Sequence, residues 1–142
     1  MAKNILFKEN LRLCIVKDKK VIFKSTSRGI LPMFTAVKDK QSELIGASVA
    51  DRVIGRAAAI LNVYSKTSSI YTDIVSKNAL EILKLNNIDI DYNQSVSYIM
   101  NRTKDDLCPV EKISTQVDDN DYAKLLQRIE EFLFSIKAIE RI

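Results

Sequence analysis

The sequence predicts an α/β fold, a mixed sheet flanked by helices in three layers. Three observations carry this expectation. The chain opens on a β-hairpin pattern, continues with alternating helix-like and strand-like segments, and closes on a long amphipathic helix. With 142 residues, 46% hydrophobic and 28% charged, it has the material for one core, and residues 1–142 are expected to form a single domain.

The elements follow in order. Leu11-Arg12-Leu13-Cys14-Ile15-Val16 is rich in strand formers, and Val21-Ile22-Phe23 is a second short strand. The polar Lys17-Asp18-Lys19-Lys20 between them makes the pair a hairpin. A loop, Ser25-Thr26-Ser27-Arg28-Gly29, precedes a short helix marked by Ile30, Leu31, Met33, Phe34 and Val37, with Pro32 tolerable in its first turn. Leu44-Ile45-Gly46-Ala47 reads as a short strand leading into the most clearly marked helix of the chain. There Ser48-Val49-Ala50-Asp51 has the form of a capping box, and Val53, Ala57, Ile60, Leu61 and Tyr64 recur at helical spacing.

Ser69-Ile70-Tyr71-Thr72-Asp73-Ile74-Val75 reads as a strand. Residues 78–86 read as a helix with Ala79, Ile82, Leu83 and Leu85 toward the core, and Ile88-Asp89-Ile90-Asp91-Tyr92 as a strand with one wet face. Residues 96–100 are apolar but too short to assign, and residues 101–106 form a polar loop. Cys108-Pro109-Val110-Glu111 starts a helix, with proline at the first helical position. Tyr122, Leu125, Leu126, Ile129, Phe132, Leu133 and Ile136 then form the stripe of the last helix, which suits core packing better than a partner surface. Its tail, Ile139 and Ile142, is a candidate homodimer contact.

Composition excludes several chemistries. The chain has no histidine, so Ser-His-Asp and Cys-His catalysis in cis, and zinc sites built on imidazole, are not available. It has three glycines and no Gly-rich phosphate loop, which argues against P-loop or dinucleotide-fold nucleotide binding. No apolar run approaches the ~20 residues of a membrane span, and the N-terminus lacks the apolar region of a signal peptide. A cytoplasmic protein is therefore expected, in which Cys14 is a core residue and no disulfide joins it to Cys108. The net charge of +4 draws on Lys17, Lys19, Lys20, Lys24 and Arg28. That stretch is either a solvated hairpin face or an attraction for phosphate, whether of a nucleotide or of nucleic acid. The chain has no tryptophan and few aromatics near this stretch, which gives a stacking platform for single strands little support.

Two stretches carry a family resemblance. Gly46-Ala47-Ser48-Val49-Ala50-Asp51-Arg52-Val53-Ile54-Gly55-Arg56-Ala57-Ala58-Ala59 resembles one signature of an uncharacterised prokaryotic family, the domain-of-unknown-function group 1893. Asn101-Arg102-Thr103 followed by Leu107-Cys108-Pro109-Val110-Glu111 resembles its second signature, and Lys17-Asp18-Lys19, Val21-Ile22-Phe23 and Ser27-Arg28-Gly29-Ile30 resemble its N-terminal part. The resemblance implies a cytidine-deaminase-like fold without implying a known reaction. Zinc deaminases place a His-x-Glu or Cys-x-Glu at one helix start and Pro-Cys-x-x-Cys at another. By resemblance, Val49-Ala50-Asp51 falls at the first motif and Cys108-Pro109-Val110-Glu111 at the second. Valine cannot ligate, and one thiolate with one carboxylate makes a poor tetrahedral site, so no metal and no cofactor are expected.

The candidate catalytic residues are Cys108, Asp51 and Glu111; the candidate ligand-binding residues are Arg28, Arg52, Gly55, Arg56, Asn101 and Arg102. Cys108 stands at a helix start, where free amides and nearby Arg102 or Lys112 favour a thiolate; it equally suits a small buried capping residue. Asp51 serves either the capping box or as a base with a raised pKa. Arg52 and Arg56, one turn apart on the expected helix with Gly55 between them, are an anion clamp or a charged flank. A glycine inside a helix costs ~1 kcal/mol relative to alanine, which calls for a packing or functional reason. Glu111 caps its own helix or carries a proton opposite Asp51. Arg28-Gly29 forms a turn that borders the pocket in the deaminase-like fold, and the polar groups of Asn101-Arg102-Thr103 can read a base or phosphate.

These residues suggest a zinc-independent deaminase-like protein acting on a nucleotide-like or other small anionic ligand. The rival is a non-catalytic regulatory module for a nucleotide or nucleic acid, and a third reading is an assembly protein using the C-terminal helix.

Overall fold

The computed structural model describes residues 1–101 and 106–138. Its elements, in chain order, are α1 (Ala2–Lys8), β1 (Leu13–Lys17), β2 (Lys20–Ser25), α2 (Leu31–Leu44), β3 (Ser48–Ile54), α3 (Arg56–Ser65), β4 (Ser69–Ser76), α4 (Lys77–Leu85), β5 (Asp89–Val96), α5 (Pro109–Thr115) and α6 (Tyr122–Ser135). The five strands form one mixed sheet of order β2-β1-β3-β4-β5. β1 is antiparallel to both β2 and β3, whereas β3, β4 and β5 are parallel. β2 therefore runs in the same direction as β3, β4 and β5, and all four strands end at the same side of the molecule.

Alternation along β1 divides the core. Leu13 and Ile15 join the large cluster under α2, α3 and α4, which α5 and α6 extend, while Cys14 and Val16 pack with Ala2, Leu6, Leu11 and Ala50 under α1. The helices thus flank the sheet on both faces, and α1 is the only helix on its side among the described residues. The hairpin, the strand at residues 69–75 and the last helix match the expectation closely. In α6 the stripe residues Leu125, Ile129 and Leu133 are buried, but Ile136 lies beyond the helix and is 55% exposed.

Three local expectations are corrected. The segment Ser48–Ile54 is a strand, not the start of a helix, because it pairs with β1 on one side and β4 on the other. Its Ser48…Asp51 pattern is not a capping box, and of the residues at helical spacing only Ala57, Ile60, Leu61 and Tyr64 belong to the helix. Gly55 is consequently the N-cap of α3 and not a helix-interior residue, and Arg52 and Arg56 lie on different elements. Of residues 44–47, Leu44 ends α2 and residues 45–47 form the turn into β3, with Gly46 at φ +77°, a backbone that a glycine adopts without steric cost. α1 is an element the apolar pattern had not marked.

Candidate functional site

A cavity of about 660 Å³ opens where β2, β3 and β5 end. Its lining comes from the loop after β2 (Ser27, Arg28, Gly29, Ile30), the end of β3 (Asp51, Arg52, Val53) and the start of α3 (Gly55, Ala57, Ala58). The loop after β5 (Ile99, Met100, Asn101), the start of α5 (Cys108, Pro109, Val110, Glu111) and Arg12 and Leu13 at the start of β1 complete it. The cavity thus lies outside the carboxyl ends of β2, β3 and β5, which run in one direction, and beside the start of the antiparallel β1. In α/β sheets such crevices outside the carboxyl ends of the strands are where ligands bind.

Asp51 lies on the pocket face of β3. Burial raises its carboxyl from the ordinary 3.8 to about 7, against the opposing pull of the Val53 and Arg52 backbone N–H groups and the Arg12 guanidinium. At neutral pH it therefore stands between hydrogen-bond donor and acceptor. Arg12 and Arg28 make no side-chain hydrogen bond or ion pair among the described residues, and Arg28 is exposed. Arg12 is a site residue that sequence reasoning missed. The signal was present as a lone charge inside the apolar run Leu11-Arg12-Leu13.

Cys108 is the half-buried N-cap of α5, and its backbone N–H donates to Ile99 O at 3.0 Å. That bond ties the α5 start to the chain leaving β5, beside the Met100–Leu107 bridge. Asn101 lies at the same rim, and its backbone N–H donates to Asp106 O at 2.9 Å. Arg102 lies outside the described residues. Lys112, expected near the thiol, pairs instead with Asp106.

The other charged candidates are engaged by the protein itself. Glu111, on α5, is 7% exposed and turns its carboxylate onto α3, where it accepts from the backbone N–H groups of Arg56 and Ala57. Burial raises its pKa, and those two donors together with the Arg56 charge resist the rise. It caps a helix, as one sequence reading allowed, but the helix is α3 and not its own. A Cβ on Gly55 would stand 2.0 Å from Glu111 Oε1 and 2.6 Å from Cδ, so the glycine is what admits this carboxylate. In return, Arg56 on α3 donates to the carbonyls of Ser114 (3.0 Å) and Val117 (2.7 Å) at the far end of α5, and to Asn78 Oδ1 at 3.3 Å. α3 and α5 thus cap one another, and Arg56 is not free to clamp an anion.

Arg52 donates to the carbonyls of Leu11 (2.9 Å) and Leu6 (3.3 Å) and to Asp73 (3.2 Å), and it stacks on Phe7 at 4.5 Å. Its guanidinium fastens α1 to the sheet. The site therefore brings together Asp51, Cys108, Asn101, Gly55, Glu111 and Arg28, but turns Arg52 and Arg56 to structural work. Among the described residues no group of three His, Cys, Asp or Glu side chains is placed to hold a metal ion. No helix of the described residues is long and apolar enough to cross a membrane.

The comparisons with known proteins agree with one another. The family model TM1506, domain of unknown function (DUF1893), matches residues 1–133. The crystal structure of a DUF1893 family protein from Thermotoga maritima at 2.70 Å resolution is similar at 25% sequence identity and a TM-score of 0.82, covering 92% of this chain and 86% of that one. A search of curated proteins gives no significant match.

Proposed function

We propose that this chain, which belongs to the DUF1893 family, is a zinc-independent protein of the cytidine-deaminase-like fold that binds a small nucleotide-like anion at the β2–β3–β5 end of its sheet. One observation carries the reading. A single cavity gathers two guanidinium residues that make no side-chain hydrogen bond or ion pair among the described residues, Arg12 and Arg28, with an aspartate poised near neutrality and a half-buried thiol. Charge-assisted hydrogen bonds from the arginines suit a phosphate or carboxylate. The apolar wall of Ile30, Val53, Ala57, Ile99, Met100 and Val110 suits a flat, less polar moiety. Helix starts converging on one crevice fit the deaminase-like arrangement.

The zinc of that fold does not fit these residues. The helix starts at the cavity present Ile30-Leu31-Pro32 and Gly55-Arg56-Ala57, none of which ligates zinc, and Cys108 is the one thiol there. Chemistry in this pocket falls instead to Cys108, as the group to attack or anchor an electrophilic carbon, and to Asp51 as proton carrier. Glu111 supports them by holding the α3 and α5 starts together.

The test is calorimetric titration with nucleoside monophosphates and with inorganic phosphate. Arg12→Gln and Arg28→Gln should each weaken binding about tenfold, the scale of one charge-assisted hydrogen bond. Equal affinity in wild type and both variants, or no binding of any member of the panel, sinks the reading. Cys108→Ser and Asp51→Asn then separate catalysis from binding: turnover that survives both removes the catalytic scheme, and binding without turnover makes the pocket regulatory.

A further inference from the structure

The sheet has two edges, and they are built differently. The β2 edge carries the devices that keep strands from pairing with foreign chains. Lys20 and Lys24 stand on it, its hairpin turns tightly through Asp18 and Lys19 at positive φ, and the β1–β2 register shifts between Ile15 and Val16. The β5 edge has none of these. Its eight residues, Asp89-Ile90-Asp91-Tyr92-Asn93-Gln94-Ser95-Val96, contain no lysine, arginine or proline, and their register with β4 is unbroken. Among the described residues β5 pairs only with β4, and most of its side chains are exposed, Tyr92 at 38%.

The charge pattern along this edge selects the partner. Both carboxylates lie in its first half and only neutral groups in its second. An antiparallel copy centred on Tyr92 sets Asp91 opposite Asn93, Asp89 opposite Ser95 and Ile90 opposite Gln94, with Tyr92 facing its own counterpart. No two like charges meet, and amide and hydroxyl groups face the carboxylates. A parallel copy in register would stack aspartate on aspartate. The edge is thus self-complementary about a two-fold axis, as an isologous interface requires.

We propose that β5 is a homodimer interface, pairing antiparallel with β5 of a second copy about an axis at Tyr92 so that one sheet runs through both chains. Sedimentation and light scattering from micromolar to millimolar concentration should show a dimer that gives way to a monomer in the Tyr92→Glu/Asn93→Glu double variant, which sets carboxylate against carboxylate at the axis and against Asp91 on either side of it. Circular dichroism of that variant should match wild type. Tyr92→Cys in a Cys108→Ser background should form a disulfide-linked dimer on oxidation, and Val21→Cys on the β2 edge should not. A wild-type monomer throughout the range, a dimer that persists in the glutamate variant, open-ended polymers, or no cross-link through position 92 would each overturn the proposal.

Discussion

Asp51 and Arg52 are neighbours on β3, yet they belong to opposite faces of the sheet, and the two faces treat charge differently. On the α1 face the two central charges, Arg52 and Asp73, are both occupied. Arg52 is held by two carbonyls, Asp73 and the Phe7 ring, Asp73 also accepts from Tyr71 Oη at 2.7 Å, and that bond pushes the tyrosine up to about 12. On the pocket face Asp51 has only backbone donors, while Arg12 and Arg28 have no bonded side-chain partner among the described residues. Satisfied charges hold elements in place, and unsatisfied ones are what a ligand can use. The α3–α5 pair behaves like the α1 face although it borders the pocket, because Glu111 and Arg56 are both satisfied by backbone.

The largest effect should come from breaking that α3–α5 exchange. Gly55→Ala puts a methyl 2.0 Å from Glu111 Oε1, which must leave. Two helix amides lose their cap and a buried carboxylate loses its donors, a loss of about 3 kcal/mol in a denaturant titration. The cost should shrink to below about 1 kcal/mol when Gly55→Ala is made in a Glu111→Ala background, where the methyl meets no carboxylate. Equal costs in both backgrounds would show that the glycine serves something other than Glu111.

Next in size is Arg52→Ala, expected to cost about 2 kcal/mol by removing charge-assisted bonds to the carbonyls of Leu6 and Leu11. Hydrogen exchange should quicken in α1 and leave α3 and α5 unchanged. If α3 and α5 loosen as much as α1, the two faces are not separable as argued.

These residues also mark how much the sequence disclosed. Strand formers around a lysine-rich turn, and apolar residues at Leu125, Ile129 and Leu133, report local preferences that tertiary contacts reinforce, so the hairpin and α6 were legible. Ser48–Ile54 was not, because a central strand is defined by partners on both sides, and its Ser…Asp spacing imitates a helix cap. That single misplacement made Gly55 a helix-interior glycine and joined Arg52 to Arg56. Cys108 was legible as a helix start and Arg28 as a loop residue after a strand, whereas Asp51 was singled out for a helix cap that it does not form, although it does line the cavity. Arg12 and the reciprocal capping by Glu111 and Arg56 were not legible, since they depend on which helix packs against which. α1 is too short for its two buried residues, Ala2 and Leu6, to establish a period.

A third effect appears as a slope, smaller per pH unit than either of those losses. Burial holds Asp51 at about 7, so between about pH 4 and that value the native state keeps a proton the unfolded chain has released. Its contribution to stability is complete below about pH 4 and is lost as pH rises through about 7, by no more than about 1.4 kcal/mol per pH unit. Asp51→Asn should flatten that part of the stability–pH curve. Arg12→Gln should move the loss to higher pH, because the Arg12 charge holds the Asp51 pKa down. A curve unchanged by either substitution would place Asp51 in water, outside the pocket.

The smallest stability effect is expected at Arg28, and its smallness is the point of the comparison. The residue is exposed, follows β2 in a loop, and bonds to nothing among the described residues. Arg28→Gln should therefore change unfolding free energy by less than about 0.5 kcal/mol, as for surface substitutions away from packed or capped positions. Its effect on affinity for a phosphate-bearing ligand should still be about tenfold. Arg52→Ala should show the reverse, with marked destabilisation and unchanged affinity in the fraction that remains folded. A side chain that loses affinity without losing stability is one whose partner is not part of the chain, and that is the property separating the pocket face from the α1 face.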